Sequence, residues 1–495
     1  MKSTRHAGRL AFVMLLLASA ALGAAPGAPT GQMGKHRVDG PVRVLWEARY
    51  DGPVSGMDTP RTIALSPDGA RAYITGFSKA YTGYEHLTVA YDTADGKQLW
   101  EARYSESKGQ QDVARALVVS RDGKSLYVTG SLGAKGGAGP RADYATAAYD
   151  AATGTRKWVT RYNPTPAAGD SAGTGTSLAW AIAISPDGTR VFVTGRSDTP
   201  DTNSDIATVA YNTADGKQLW AMRYAGPGDD QGLGIAVSRD GGRVFVAGYT
   251  ETAKSGIDYV TIAYDAATGR QAWENTYTSI GAEGDYARAI LASPDGQRVF
   301  VTGEAYRADT GLDCVTVAYS TADGQQLWVA RENGTGGRDD SGLMLATGAS
   351  GSTIFVGGNT GGAGGSDDIL VAAYEAATGK RLWVYNFDGE GHQQDHAFGL
   401  AVSPDGKAAF VTGSSRGIRG DDDIVTIGLD ARTGQGLWIA RYQGPELAAD
   451  EPAGLAVSPD GLKVFITGRS KGHGTDWDCV TIAYALPAPA APPPH

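Results

Sequence analysis

From Asp58 onward the chain is a succession of short apolar runs broken by turn residues, and residues 285–331 show the unit most plainly. DYARAILAS (285–293) is apolar enough to be a buried strand, and PDG (294–296) turns the chain, with Pro fixing one dihedral and Gly supplying a positive one. RVFVTG (298–303) is a β-branched second strand, DCVTVAY (313–319) alternates as a third, and after STADG the segment QLWVAR (326–331) makes a fourth. Four antiparallel strands in about 55 residues predict one blade of a propeller.

Each unit turns on a stretch such as AYDAATGRQAW (263–273), which ends a third strand, reverses through Thr268-Gly269 and starts a return strand with a tryptophan to bury. The tryptophan recurs at Trp100, Trp158, Trp220, Trp273, Trp328, Trp383 and Trp438, and Trp46 sits in VLWEARY without such a turn before it. Two signals count the units. The Gly after the second strand's β-branched run falls at Gly76, Gly130, Gly195, Gly248, Gly303, Gly413 and Gly468, with Gly358 in a degenerate Gly-Gly. The residue ending the third strand is Tyr91, Tyr149, Tyr211, Tyr264, Tyr319, Tyr374 and Tyr484, with Leu429 once. Both counts predict an all-β, eight-bladed propeller. After Tyr484 the chain runs into LPAPAAPPPH, which cannot form a strand. The last blade therefore lacks its fourth strand, and VLWEARY (44–50) is a fourth strand without a blade. Joining the two shuts the ring and removes two open sheet edges.

The repeat overrides the two or three domains that 495 residues would otherwise suggest. The expected division is a signal peptide over 1–23, a Gly/Pro-rich linker over 24–43, one propeller over 44–485 and a Pro/Ala-rich tail over 486–495. The leader has a basic start, the apolar run LAFVMLLLASAALG and small residues suited to cleavage; the run is too short for a membrane span. Export, to a periplasm or beyond the cell, is the expectation. Losing Lys2, Arg5 and Arg9 takes the formal charge of −10 to −13, which argues against nucleic acid and anionic membranes as partners. Cys314 and Cys479 occupy equivalent third-strand positions three blades apart and read as small buried apolar residues rather than a disulfide.

The pattern Ala-x-Asp-x-x-Thr-Gly-x-x-x-Trp resembles the tryptophan-docking motif of the PQQ-type quinoprotein propellers. Ala148, Asp150, Thr153, Gly154 and Trp158 match it throughout, as do Ala263, Asp265, Thr268, Gly269 and Trp273. Elsewhere Asp95, Asp215 and Asp323 replace the Thr, and Asn212, Ser320 and Glu375 replace the Asp. The SPDGxxVFVTG half is similar to YVTN and lactonase-type repeats. The resemblance implies the fold across nearly all of the chain beyond its leader. It does not imply one activity, because such propellers include alcohol dehydrogenases and cofactor-free scaffolds. Many of those dehydrogenases carry adjacent cysteines beside the quinone, whereas this chain has neither Cys-Cys nor Cys-x-x-Cys-His. PQQ is thus not supported by the sequence.

Chain direction places two acidic rings on one rim, here called the top. Asp58, Asp112, Asp230, Asp285, Asp340, Asp395 and Asp450, with Ser177 in blade 3, open the innermost strands. Glu85, Asp143, Asp205, Asp258, Asp313, Asp368, Asp423 and Asp478 open the third strands. Arg49, Arg103, Arg161, Arg223, Arg331 and Arg441 end fourth strands at the same rim and are expected to pair with the second ring, which makes it structural. Thr276 and Asn386 replace that arginine in blades 4 and 6 and leave Asp258 and Asp368 freer.

Function is expected where the repeat breaks. One innermost-strand position holds Arg61, Arg115, Trp180, Leu233, Arg288, Leu343, Phe398 and Ala453. The three arginines and two aromatics, with Asp395, form a candidate axial site for an anionic or sugar-like ligand; the structural alternative pairs those arginines with ring aspartates. The loops 131–143, 163–176 and 197–205 gather over blades 2 and 3 as a candidate recognition surface. His86, His392, His396 and His473, with Asp476, belong to adjacent blades and form a candidate transition-metal site. GGSDD (364–368) and RGDDD (419–423) are candidate Ca²⁺ loops.

The expectation is an exported, monomeric binding or scaffold propeller that recognises a small molecule, a carbohydrate or a protein at its top rim and axial mouth. The sequence leaves catalysis open. A PQQ-dependent-type oxidoreductase of alcohols or sugars is the first alternative, and a hydrolase or lyase acting on a sugar or lactone the second.

Overall fold

The computed structural model describes residues 33–106, 111–133, 142–164, 176–199, 202–253, 255–279, 284–334, 336, 338–362, 364–418 and 420–487. The signal-peptide region, most of the tail and the middles of the three long loops over blades 2 and 3 lie outside them.

Blade 5 shows how alternation becomes a sheet. Its strands Tyr286–Ala292, Arg298–Arg307, Gly311–Ser320 and Gln326–Glu332 pair antiparallel in sequence order. Val301 faces Val317 and Val317 faces Val329 across the ladder. Eight such sheets form the molecule. Innermost strands of successive blades pack side by side, and Asp58–Leu65 of blade 1 meets both Val113–Val119 of blade 2 and Glu451–Val457 of blade 8. This is an eight-bladed β-propeller.

Ring closure follows the strand deficit. Strand β2 (Arg43–Tyr50) pairs antiparallel with Trp477–Ala485 and supplies the outermost strand of blade 8. The segment 24–43, expected to be a linker, contains a further strand. Strand β1 (Lys35–Asp39) adds to Gly436–Gln443 and gives blade 7 a fifth strand. Its pattern is hard to read because KHRVD offers one apolar residue, Val38, which packs onto the Trp438–Tyr442 cluster. His36 holds β1 in place by packing its ring, tilted by 54°, against Tyr442 at 5.1 Å and bonding Glu47 at 3.1 Å.

The core lies between blades. Trp46 packs with Phe465 of blade 8 and with Ile74, Val89 and Tyr91 of blade 1. The Trp273 indole N–H donates to the Thr321 carbonyl of the next blade at 3.1 Å, and its ring covers Gly324. Gly324 has φ +75°, and a Cβ there would strike the indole, so both turn and contact require glycine. Trp46, Trp100, Trp158, Trp220, Trp328 and Trp383 repeat the carbonyl contact.

Candidate functional site

The variable position of the innermost strands has a structural cause. In every blade the pairing with the second strand slips by one residue there, so Arg61, Arg115, Trp180, Leu233, Arg288, Leu343, Phe398 and Ala453 are each the extra residue of a β-bulge. The glycine expected to end the second strand lies within it instead, opposite the bulge. A methyl on Gly303 would overlap the Tyr286 carbonyl oxygen, and one on Gly76 that of Thr59. Bulge and glycine form one device that takes a single side chain per blade out of the alternation of its innermost strand.

These side chains are of two kinds. The Arg115 guanidinium lies 4.0 Å from the Trp180 ring centroid, across the blade 2–3 boundary. Neither Arg115 Nε nor Trp180 Nε1, both buried, has a hydrogen-bond partner. Burial, then the nearby Arg61, pushes the Arg115 pKa down to about 10. Arg61 lies over Phe77 at 5.4 Å, and burial and then Arg469 lower its pKa too. Among the described residues neither arginine is ion-paired, so they do not pair with ring aspartates. Arg288 differs, because Glu304 neutralises it in an ion pair and it covers Tyr286 at 5.2 Å. Arg469 is likewise paired with Glu451 at 2.6 Å. Leu233, Leu343, Phe398 and Ala453 make the rest apolar, with Phe398 exposed.

Asp395 stands apart from the axial group. It is fully buried in the first ring and accepts the Gly389 N–H at 2.6 Å. The first ring ties blades together in this way. Asp340 accepts Gly334 N–H of the incoming connector at 2.7 Å and Gly361 N–H at the top of the second strand at 2.8 Å. Ser177 keeps a lesser version through Ser197 Oγ at 3.0 Å. Second-ring acids take arginines as expected: Arg103 with Glu85 at 3.0 Å, Arg161 with Asp143 at 2.8 Å, Arg331 with Asp313 at 2.7 Å, Arg49 with Asp478 at 3.1 Å, Arg441 with Asp423 at 4.0 Å, and Arg223 with Asp205. Asp258, without its arginine, is served by Thr252 and Ser255 hydroxyls. Asp368 has no such partner among the described residues.

The histidines do not converge. His86 is buried, bonds the Ser131 carbonyl at 2.9 Å, and has its pKa pushed down to about 4 by burial. His473 is exposed against Glu446. Neither these two nor His396 or Asp476 belongs to a cluster with metal-ligand spacing among the described residues. Two such clusters exist, Asp51–Asp58–Asp478 and Asp368–Asp388–Asp395. Sequence reasoning missed Asp51 and Asp388; the available signal was an Asp-Gly placed seven residues before a first-ring Asp. Clefts of about 390 and 460 Å³ open on the flanks of blades 6 and 7, away from the axis.

A family model described as the outer membrane protein assembly factor BamB matches residues 41–198, 202–339 and 313–478. No curated protein matches the chain. Among solved structures, Chaetomium thermophilum Sqt1 bound to the N-terminus of ribosomal protein L10 is similar at TM-score 0.56 and 12% identity, over 88% of this chain and 98% of that one. The quinohemoprotein alcohol dehydrogenase of Comamonas testosteroni is similar at TM-score 0.57 and 11% identity, over 92% of this chain and 78% of that one. A europium-containing methanol dehydrogenase is similar at 0.55 and 12%, over 90% and 93%. At these identities the likeness is one of fold.

Proposed function

The chain belongs to the PQQ-type propeller family whose model is described as the outer membrane protein assembly factor BamB, and from that premise we propose that it is an exported binding or scaffold module whose axial mouth takes an anionic group. The observation that carries this is the Arg115–Trp180 stack with Arg61 beside it: two cations without an ion pair, and two buried N–H donors without acceptors, among the described residues. Holding such groups costs stability unless a ligand supplies the missing acceptor. A carboxylate or phosphate on a ligand with an apolar or sugar face suits both halves of the mouth. The assembly-factor description supports a scaffold role for the rim around it. Among the described residues no helix is long and apolar enough to cross a membrane.

The residues present do not fit a bound quinone with its metal. The carboxylates beside the axial arginines, Glu451 and Glu304, are taken by Arg469 and Arg288. Cys314 and Cys479 are buried in the third strands of blades 5 and 8, so they do not form an adjacent pair.

The test is thermal unfolding of the full chain and of Arg115→Met in inorganic phosphate, citrate and a hexaglutamate peptide. At least one probe should raise the melting temperature of the parent protein and not of the variant, with ligand-free melting points within about 2 °C of each other. A ligand-free loss above about 5 °C with no probe effect would make Arg115 structural. Dye-linked oxidation after addition of PQQ and Ca²⁺ would favour the oxidoreductase reading.

A further inference from the structure

We propose that the junction between blades 6 and 7 is a calcium site, held by Asp368, Asp388 and Asp395 and independent of the axial mouth.

Three elements build it. Asp368 lies in the third strand of blade 6, Asp367–Glu375; Asp388 follows its fourth strand, Arg381–Phe387; Asp395 opens the innermost strand of blade 7, Asp395–Val402. One ligand oxygen from each lies within 4.8 Å of the others. That is close enough for one cation to touch all three, and calcium accepts such a flexible set of oxygens where magnesium demands a near-ideal octahedron and gives up its waters reluctantly. The donors are all carboxylate oxygens, which suits a hard cation and not a thiophilic metal.

Burial points to a missing ligand. Asp368 and Asp395 are only 7% and 0% exposed, and each keeps one buried carboxylate oxygen without a hydrogen-bond donor, as other ring aspartates do; what sets this junction apart is Asp368. Among the described residues Asp368 accepts no hydrogen bond at all, and Asn386 stands where other blades place an arginine. Buried carboxylates side by side need a counter-charge. Asp388 is half exposed at the connector, with its Oδ2 2.7 Å from His392 Nδ1, and opens the site to solvent.

The test uses the full chain, stripped with EDTA and dialysed, in calorimetric titrations with CaCl₂ and MgCl₂ and in thermal unfolding. We expect one saturable calcium site, at least tenfold tighter than magnesium, and a melting temperature about 3 °C higher at 10 mM calcium. Asp368→Asn and Asp388→Asn should each remove the heat and the shift; Asp388 is on the surface, so its variant folds whatever the site does. Asp51→Asn should leave both in place. Absence of saturable heat, equal affinity for magnesium, persistence in Asp368→Asn, or loss in Asp51→Asn would each overturn the assignment.

Discussion

Two junctions of the ring gather three carboxylates, and the same loop builds both. Between blades 8 and 1 the connector runs from Asp51 to Asp58, and between blades 6 and 7 from Asp388 to Asp395. In each, the residue three before the ring aspartate adopts a left-handed conformation, Ser55 at φ +46° and His392 at φ +47°. Each bonds back to the opening aspartate, at 3.0 and 2.7 Å. The difference is on the neighbouring fourth strand. Arg49 spans the first junction, reaching Tyr442 Oη at 2.8 Å, Ser470 O at 2.8 Å and Asp478 Oδ2 at 3.1 Å. Asn386 takes its place at the second and, among the described residues, bonds no acid there. One junction carries its counter-charge in the chain, whereas the other leaves it to solution. The seam where the ring closes is the one with the covalently attached cation, so closure does not depend on ionic conditions.

Removing that cation is expected to have the largest effect. Arg49→Met leaves Glu47 and Asp478, whose side chains are 1% and 5% exposed, without their guanidinium. Breaking a buried pair from one side costs about 3–5 kcal/mol. Urea unfolding should show that loss, and 10 mM calcium should recover part of it, because the variant turns the closing seam into a copy of the junction between blades 6 and 7. A loss below about 1 kcal/mol would mean that β2 is held by its ladder and Trp46 alone.

The junction between blades 7 and 8 supplements its arginine, Arg441, which lies 4.0 Å from Asp423, with a proton. Gln443 stands at the position of Asp51 and Asp388, and its side-chain amide donates to Asp421 at 2.9 Å, while Asp423 and Asp450 are the ring aspartates of this junction. Burial is the main reason that the Asp450 carboxyl is pushed up to about 7 and that of Asp423 to about 6. The folded state then holds protons that the unfolded chain releases near pH 4, so stability falls as pH rises from about 4 to about 7. Turn aspartates act oppositely: Ser185 Oγ and then the Thr189 N–H hold Asp187 down to about 2, a contribution present above pH 4 and lost below it. In EDTA the unfolding free energy should therefore be greatest near pH 4–5 and fall by about 2 kcal/mol toward pH 8. Asp450→Asn should flatten that fall, and an unchanged slope would place the titration elsewhere.

The sequence made the scaffold legible because propeller energetics repeat. Tryptophan, turn glycine and strand-ending tyrosine recur in register, and the unpaired VLWEARY told where the ring closes. Arginines at fourth-strand ends were legible as partners of the second ring for the same reason. The bulge was not, because Thr-Gly reads as a strand terminus until the facing carbonyl is seen to exclude a Cβ from Gly303. The position of Arg115 and Trp180 could be found, but not their stacking or the absence of acids around them. The histidines misled because they sit on unlike elements: His86, in a third strand, turns into the interface with blade 2, while His473, in a turn, stays in solvent. Asp51 and Asp388 escaped because connectors vary in length and carry no register to count along.

The smallest expected effect is also the most direct exchange between the two junctions. Asn386→Arg places at the junction between blades 6 and 7 the residue that the repeat specifies. The cleft of about 390 Å³ that Asn386 lines, together with Thr360 and Trp383, gives the longer side chain room. Its partners are already in place. Arg103 in blade 1 bonds Ser78 Oγ at 2.7 Å and Lys79 O at 3.1 Å as well as Glu85, and Thr360 and Gly361 occupy the equivalent positions in blade 6. The new guanidinium should meet Asp368, stabilise the EDTA-treated protein by about 1 kcal/mol and remove the calcium-dependent rise in melting temperature. A stabilised variant that still binds calcium with parent affinity would show that arginine and cation occupy different places, and the two junctions would then differ in more than the source of their positive charge.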